Sequence, residues 1–374
     1  MKEEIVIVNQ DSGYLMIDIA NAFTDKGYSV TLITGRLVVR SNPLSEPIRL
    51  RKIIEYKRQT GLHKIFTWLT GFFQILLLIK FKHRSSSLLI VSNPPFAPLL
   101  PMFVMNKFSL LIFDIYPDSV SEVGIMKADS FLLNTWRKAN KRVYSRAERI
   151  FTITEGLRNV LQKYTGDKSI EVIDLWSDNG FLKPVSPETN PFVIEHGLLG
   201  KFIVLYSGNI GSTQNIEALI EVARDLKRAN IVFVIIGNGA HRDAIKKLIN
   251  NYQLKNCLLL PWQEPEKIPF SFAAANLAVV SLGNLSASVA IPSKFYDFLS
   301  VGAPILGLAM PYLELGQMID KYQVGRCFKP DDKDQIINYI YHLADNPEYI
   351  LSIKRNALSA SRHFTSANAK KFLP

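Results

Sequence analysis

Short runs of β-branched and aliphatic residues alternate along the chain with longer stretches in which apolar residues recur at helical spacing. This alternation is typical of a parallel β-sheet covered by helices. In the first half it predicts strands at residues 5–8, 30–33, 88–91, 110–113, 150–153 and 170–173. In the second half it predicts strands at residues 202–206, 231–236, 257–260, 277–280 and 305–308. The hydrophobic pattern therefore indicates an α/β fold in two halves.

A proline-rich segment separates the two halves. Residues 181–191 contain three prolines and no apolar periodicity, which is typical of a linker. The length of 374 residues also suits two domains of about 150 to 200 residues each. We therefore expect an N-terminal domain at residues 1–184 and a C-terminal domain at residues 192–361, with the tail of about 362–374 packing back onto the first.

Composition narrows the class of protein. A hydrophobic fraction of 48% with 21% charged residues is that of a globular chain rather than a disordered one. Cys257 and Cys327 are too few for a disulfide framework, and the chain starts with a predicted strand instead of the apolar core of a signal peptide. We therefore expect a cytoplasmic protein. The six histidines share no metal-ligand spacing and no Asp-x-Asp element occurs, so we expect no metal and no other cofactor.

Positive charge is concentrated in residues 49–84, which carry nine Lys or Arg against one acid and supply +8 of the net +11. The apolar run inside this segment, 65–79, is shorter than the roughly 20 residues of a spanning helix, which favours an anionic membrane surface as the partner. The same run could instead be an amphipathic helix that covers the N-terminal sheet, and both roles are compatible. Interleaved Leu, Ile and Phe without a binding motif argue against a nucleic acid partner.

Two glycine-rich loops follow predicted strands of the second half, where open parallel sheets bind ligands. The first contains Ser207, Gly208, Asn209 and Gly211 and precedes a predicted helix from about residue 215, whose N-terminus would attract a diphosphate. The second is 237–239, where missing side chains would let a nucleotide approach the backbone. Each glycine pair alone is weak evidence, since most such pairs are plain tight turns.

The stretch 290–304 is more specific. It reads Pro292-Ser293-Lys294, then Asp297, then Gly302-Ala303-Pro304, and it resembles the donor-binding segment of glycosyltransferase family 4, which is of the GT-B type. Helical spacing puts the Lys294 and Asp297 side chains on one face, where they offer a cation for phosphate and an acceptor for ribose hydroxyls. The competing interpretation is a capped helix with an exposed Lys and Asp.

The resemblance extends over nearly the whole chain. Four further segments match the family in order and spacing: Ser92-Asn93-Pro94-Pro95, the stretch 113–118, the stretch 146–156 and Trp176-Ser177-Asp178. The match is closest to the subgroup that builds bacterial capsule and O-antigen units on a lipid carrier. It implies two Rossmann-like domains whose parallel sheets face each other across a cleft, with the donor bound mainly by the C-terminal domain.

Two departures from the family pattern limit what the resemblance implies. Asn209 and Gln214 stand where the family has an Arg and a Lys that cradle the diphosphate. Val289 and Asp297 stand where it has two glutamates eight positions apart, which fits a deoxy or N-acetylated donor sugar. More of the phosphate binding would then fall to Lys294 and to the N-terminus of the helix after the first glycine loop.

The resemblance implies a retaining glycosyltransferase that uses a nucleotide diphosphate sugar, with uridine the preferred base, and a lipid-linked saccharide acceptor. Lys294 and the amides of 208–211 would stabilise the leaving group. Asp114 would hold the acceptor hydroxyl or the donor sugar, or would merely cap the turn at Tyr116-Pro117. The remaining assignments are Pro292, Ser293, Asp297, Gly237, Asn238, Gly239, Pro261, Trp262 and Gly13 to the donor, and Asn9, Gln10, Ser12 and Tyr14 to the acceptor side.

Two other functions stay open at this point. One is a sugar-nucleotide 2-epimerase of the same architecture, although the Pro-Ser-Lys segment argues against it. The other is a catalytically silent subunit that binds a nucleotide sugar, suggested by the missing Arg and Lys pair.

Overall fold

The structure is a computed structural model that describes residues 3–57, 61–118, 130–283 and 291–374. It divides into two compact units: the first is Met1–Asp174 with Ser366–Pro374, and the second is Leu175–Thr365. The boundary falls before the expected linker at 181–191. Trp176 and Leu182 are both buried, and Ser177 donates a hydrogen bond to Asp297 of the second unit, so this stretch belongs to that unit's core.

The first unit is a seven-stranded parallel sheet with the order β5-β3-β1-β6-β7-β8-β9. Its strands are β1 Glu4–Val8, β3 Ser29–Thr34, β5 Arg49–Lys52, β6 Ser87–Val91, β7 Phe108–Ile112, β8 Ile150–Thr152 and β9 Glu171–Val172, and the short β2 Asp11–Ser12 pairs with β4 Arg36–Leu37. Its α-helices are α1 Tyr14–Asp25, α2 Gly61–Lys82, α3 Phe131–Tyr144 and α4 Glu155–Thr165, with 3-10 helices at Ala97–Met102 and Ser366–Phe372.

The second unit is a six-stranded parallel sheet with the order β12-β11-β10-β13-β14-β15. Its strands are β10 Phe202–Ser207, β11 Ile231–Ile236, β12 Cys257–Leu260, β13 Leu277–Ser281, β14 Ile305–Leu308 and β15 Gly325–Phe328. Its α-helices are α5 Pro191–Glu195, α6 Ile216–Asp225, α7 Arg242–Asn251, α8 Ile268–Ala273, α9 Ser293–Ser300, α10 Glu314–Tyr322, α11 Lys333–Asp345 and α12 Pro347–Ser361, with 3-10 helices at Pro187–Thr189 and Pro265–Lys267. The predicted α/β class with two parallel sheets is confirmed.

Helix α2 is longer than the apolar run suggested. The helical stretch His63–Lys82 is long and apolar enough to cross a bilayer, judged by length and composition alone. The expectation that this run is too short to span a membrane was therefore wrong. Its contacts nevertheless make it a crossover helix between two strands of one parallel sheet. Ile75 and Ile79 are fully buried, and the Thr67 carbonyl accepts a hydrogen bond of 2.8 Å from Gln10 Nε2.

The C-terminal segment Ser366–Pro374 is held on the first unit by one arginine. Arg149 donates through Nη1 to the carbonyl oxygens of Phe372 and Leu373 at 3.2 and 2.7 Å. Its other edge binds the Glu171 carboxylate at 2.8 and 2.7 Å, which fixes the plane of the guanidinium. Phe372 completes the contact by packing its ring 4.8 Å from that of Phe151.

Candidate active site

The two glycine loops of the second unit lie side by side because β10 and β11 pair in parallel with Ser207 opposite Ile236. Their backbones interlock. A Cβ on Gly237 would overlap the carbonyl oxygen of Gly208, and a Cβ on Gly239 would overlap that of Ile210. Gly237 and Gly239 also have φ of +150° and +156°, which side chains rarely adopt. Loop packing alone therefore explains these two glycines.

Most backbone amides of the first glycine loop already have partners. Gly208 N donates to the Ile236 carbonyl at 2.8 Å and Ile210 N to the Asn238 carbonyl at 2.9 Å. Gly211 N donates to Oε1 of Gln214 at 3.0 Å. These three amides are not available to a diphosphate as they stand, contrary to the sequence expectation for 208–211. The neutral carboxamide of Gln214 closes the loop at the place where the family has a cation.

Lys294 supplies the cation at this edge. It lies in the first turn of α9, and its Nζ is 2.5 Å from the position that a Cβ on Gly208 would take, so the ammonium sits directly against that glycine. Burial lowers the pKa of Lys294, and the nearby Asp297 carboxylate opposes this shift. Asp297 itself is only 7% exposed. An exposed Lys and Asp on a capped helix is therefore not what the structure contains.

Asp297 is held from the start of the second unit. Ser177 Oγ donates a hydrogen bond of 2.7 Å to Asp297 Oδ1, and both side chains are buried. This pairing joins residues 120 positions apart. Ser177 belongs to the segment Trp176-Ser177-Asp178 that resembles the family, but the resemblance implies no role for its side chain.

Pro261 and Trp262 follow β12 at the same edge. Gly237 N donates to the carbonyl of Leu260, the last residue of β12, at 3.0 Å. Trp262 comes two residues later and is 52% exposed, so its ring offers a face for stacking. Pro292 precedes α9 as its N-cap, and Ser293 is exposed in its first turn.

Two residues near the glycine loops were not predicted from the sequence. Tyr206 donates through its hydroxyl to the Asn209 carbonyl at 2.6 Å, and burial raises the pKa of that hydroxyl. Arg242 donates through Nε to the Gly237 carbonyl at 3.3 Å. Tyr206 belongs to an apolar strand and Arg242 to an ordinary polar helix, so the sequence contains no signal that separates them from their neighbours.

The loop after β1 in the first unit is built differently. Asn9 and Gln10 are buried, and their side chains make internal hydrogen bonds. Asn9 Nδ2 donates to Ser12 Oγ at 3.2 Å, and Gln10 Nε2 donates to the Thr67 carbonyl of α2. Gly13 is the N-cap of α1 with φ of −132°, and a Cβ there would meet only the Val38 carbonyl oxygen at 3.9 Å within the described residues. Tyr14 lies under the Arg40 guanidinium at 4.7 Å. Packing among the described residues does not require a glycine at 13.

Asp114 follows β7 with an exposed side chain. The Ser92 hydroxyl accepts hydrogen bonds from the amides of Phe113 and Asp114 at 3.0 and 3.3 Å, which fixes the backbone there. Although the side chain reaches solvent, surrounding protein removes enough hydration to raise the pKa of its carboxyl. In the described part of the chain no hydrogen bond to this carboxylate is recorded, so the turn-capping alternative has no support there.

No metal centre emerges from the described ranges. Within residues 3–57, 61–118, 130–283 and 291–374, no three His, Cys, Asp or Glu side chains converge as a metal site requires.

Comparison with known proteins identifies a domain within the second unit. Residues 193–360 match the family described as glycosyl transferases group 1. The protein contains a group 1 glycosyltransferase domain. It is similar to the probable glycosyltransferase WbjE of Pseudomonas aeruginosa, with 26% identity over 342 residues that cover 88% of this chain and 85% of that protein. It is also similar to a putative colanic acid biosynthesis glycosyl transferase, WcaI of Escherichia coli K12, with 30% identity over 37% of this chain and 34% of that protein.

The fold of this glycosyltransferase agrees with solved structures. Anabaena HepE in complex with UDP matches it with a TM-score of 0.72 and 14% identity, covering 99% of this chain and 98% of that one. The expected glycosyltransferase identity and the GT-B type of fold are confirmed. The matched domain contains both glycine loops, Lys294 and Asp297.

Proposed function

We propose that this glycosyltransferase moves a deoxy or N-acetylated hexose from a uridine diphosphate donor to a lipid-linked saccharide, with retention of anomeric configuration. The observation that carries the proposal is the Lys294 ammonium against Gly208, at the carboxyl ends of two adjacent strands. A partly buried cation beside backbone without side chains suits a diphosphate, the group that nucleotide-sugar donors share.

The choice of uridine and of the sugar has separate support. HepE, which shares the fold, is described in complex with UDP, and the exposed Trp262 ring gives a base a stacking surface. Val289 lies outside the described residues; its side chain cannot accept a hydrogen bond from a sugar hydroxyl, as an acid could. This favours a donor sugar in which a hydroxyl is missing or substituted.

In the proposed transfer the acceptor hydroxyl attacks C1 on the face from which the diphosphate leaves. The new C1–O bond forms as the C1–O bond to phosphate breaks, and the acceptor proton passes to a leaving phosphate oxygen. Lys294 stabilises the charge that develops on the diphosphate. Asp114 of the first unit would hold the acceptor hydroxyl or the donor sugar, and its task is positioning rather than proton removal.

A lipid-linked acceptor in capsule or O-antigen synthesis is proposed because WcaI is described as a colanic acid biosynthesis enzyme. Helix α2 also presents an apolar stripe at i, i+4 spacing. The stripe is at least 42% exposed at each position and consists of Ile65, Leu69, Phe73, Leu77 and Phe81. Phe103, which is 50% exposed, lies against the same helix, with its ring centroid 6.1 Å from that of Phe72.

Basic residues lie before, within and after this stripe in sequence, including exposed Lys57, Lys80, Lys82 and Arg84. An apolar face flanked by cations matches the interfacial region of an anionic bilayer. We therefore place the enzyme, as part of the proposal, at the inner face of the plasma membrane, with the basic segment 49–84 as its contact.

The activity test is an assay of the purified protein with a panel of UDP-sugars, with and without lipid-linked saccharide extracts. The expected result is release of UDP that depends on the acceptor, with a glycolipid product of retained configuration. Conversion of the donor to its 2-epimer would support the epimerase instead. Binding of UDP-sugars without transfer or hydrolysis of any of them would support the silent subunit.

A further inference from the structure

We propose that Ser177 is a positioning residue of the donor site, which orients the Asp297 carboxylate toward the ribose hydroxyls of the nucleotide. The inference rests on the proposed function, in which a nucleoside diphosphate binds beside Lys294. It adds to the donor site a residue from the first turns of the second unit, far in sequence from the glycine loops and from α9.

The geometry of the pair supports this role. Ser177 is 1% exposed and Asp297 7% exposed, and the 2.7 Å hydrogen bond between them is of the short, charge-assisted kind. The bond is made to one carboxylate oxygen, Oδ1, so it restricts the rotation of the carboxylate about its own axis. Lys294 precedes Asp297 by three residues on the same helix, and the Asp297 charge opposes the lowering of the Lys294 pKa by burial. The orientation of Asp297 therefore also affects the electrostatics of the Lys294 ammonium.

The backbone turn that carries Ser177 is itself anchored by hydrogen bonds. Ser177 N donates to the Phe364 carbonyl at 3.3 Å, and Asp178 Oδ1 accepts hydrogen bonds from the amides of Gly180 and Phe181. Asn179 Nδ2 donates to the Ser361 carbonyl at 3.2 Å. A donor on so well anchored a turn can determine the orientation of its acceptor rather than follow it.

The same turn offers a matched control. Ser300 of α9 donates through Oγ to Asn179 Oδ1 at 2.9 Å, so it also ties α9 to this turn, but through Asn179 rather than through the Ser177–Asp297 bond. Ser300→Ala removes a bond between the same two elements. A purely structural tether would make Ser177→Ala and Ser300→Ala equivalent.

The experiment is titration calorimetry of the full chain with UDP and with 2′,3′-dideoxyuridine diphosphate. Ser177→Ala should weaken UDP binding about five- to tenfold and change binding of the dideoxy nucleotide less than twofold. Ser300→Ala should change neither. In an Asp297→Asn background, which should bind UDP more weakly on its own, adding Ser177→Ala should cause no further loss because Ser177 acts through that carboxylate.

Equal weakening of both nucleotides by Ser177→Ala, or no weakening, would overturn the positioning role. So would a wild-type protein that binds the dideoxy nucleotide as tightly as UDP. If alanine prevents folding, Ser177→Cys, which is similar in shape but a weaker donor, gives the same comparison. A wild-type protein that binds none of a panel of nucleoside diphosphates would instead refute the proposed function, and that outcome is visible before any variant is made.

Discussion

The loop after β1 in the first unit and the two interlocked loops after β10 and β11 in the second all begin at the carboxyl ends of parallel strands, yet their glycines have different causes. The loop after β1 leads into α1, the loop after β10 into α6 and the loop after β11 into α7. In the second unit Gly237 touches the Gly208 carbonyl so closely that no side chain fits. In the first unit Gly13 is uncrowded within the described residues. Packing explains Gly237, whereas contacts among the described residues do not explain Gly13, whose role beside a ligand is part of the proposal.

The largest expected difference between Gly237 and Gly13 is in their effect on stability. Gly237→Ala should lower the free energy of unfolding by more than about 3 kcal/mol, because a Cβ would overlap backbone and φ is +150°. Gly13→Ala should change it by less than about 0.5 kcal/mol while lowering turnover. Denaturant unfolding and activity assays check both. A Gly13→Ala protein that is fully active would show that no ligand approaches this loop.

The two units also differ in surface charge, which predicts a different response to membranes. Changing Lys57, Lys64, Lys80 and Lys82 of the first unit to Glu should weaken binding to anionic vesicles by several kcal/mol, at about 1 kcal/mol per charge. The matched control changes four exposed lysines of the second unit, Lys246, Lys247, Lys255 and Lys329, to Glu. Both variants have the same net charge.

Vesicle co-sedimentation at low and high salt measures this effect, which salt should screen. If both variants lose the same amount of vesicle binding, the effect depends only on the net charge of the protein and not on the basic segment. If wild type binds neutral vesicles as strongly as anionic ones, the basic segment has no role in membrane binding. Helix α2 is then only a core helix of the first unit.

Asp114 should affect turnover without affecting donor affinity. Asp114→Asn should lower turnover to acceptor about ten- to a hundredfold and leave the Kd for UDP nearly unchanged. Because desolvation raises the pKa of this carboxyl, the acid limb of turnover should lie above the ordinary aspartate value of about 3.9 and should vanish in the Asn variant. If Asp114→Asn leaves turnover unchanged and lowers the melting temperature, Asp114 has a structural role rather than a role in the reaction.

Gln214 offers the smallest predicted effect and a gain rather than a loss. Its carboxamide holds Gly211 N in the place where the family has a lysine. Gln214→Lys should bring a second cation to the loop and strengthen UDP binding up to about tenfold. Gln214→Met, which removes the polar group at similar length, is the control. Weaker binding in the Lys variant would mean that the closed, neutral loop is itself needed.

The hydrophobic pattern predicted most of the two sheets, and its failures have physical causes. Strand β5 was missed because its four residues are exposed and three are basic, so only backbone pairing with β3 makes it a strand. Strand β15 lies at the other sheet's edge and begins with Gly325. The domain boundary was placed too late because prolines mark a loop but do not show which core the preceding residues join.

The candidate site was predictable where residues are close in sequence. Lys294 and Asp297 share a helix turn, so their proximity follows from helical spacing alone. The contacts of Lys294 with Gly208 and of Asp297 with Ser177 join distant parts of the chain, and a single sequence contains no sign of them. The sequence also did not predict that Gln214 and neighbouring carbonyls accept hydrogen bonds from the loop amides. Glycine-rich loops that bind phosphate and glycine-rich loops that pack against each other have similar sequences.

The measurement that tests the central claim most directly is calorimetric titration of UDP into wild type, Lys294→Ala and the exposed-lysine control Lys247→Ala. If the Lys294 ammonium against Gly208 holds the diphosphate, its loss removes a charge-assisted hydrogen bond worth about 1.5 to 3 kcal/mol and weakens binding about ten- to a hundredfold. Lys247→Ala should bind as wild type does. Equal UDP affinity in all three proteins would contradict the assignment of the donor site to this edge of the second sheet.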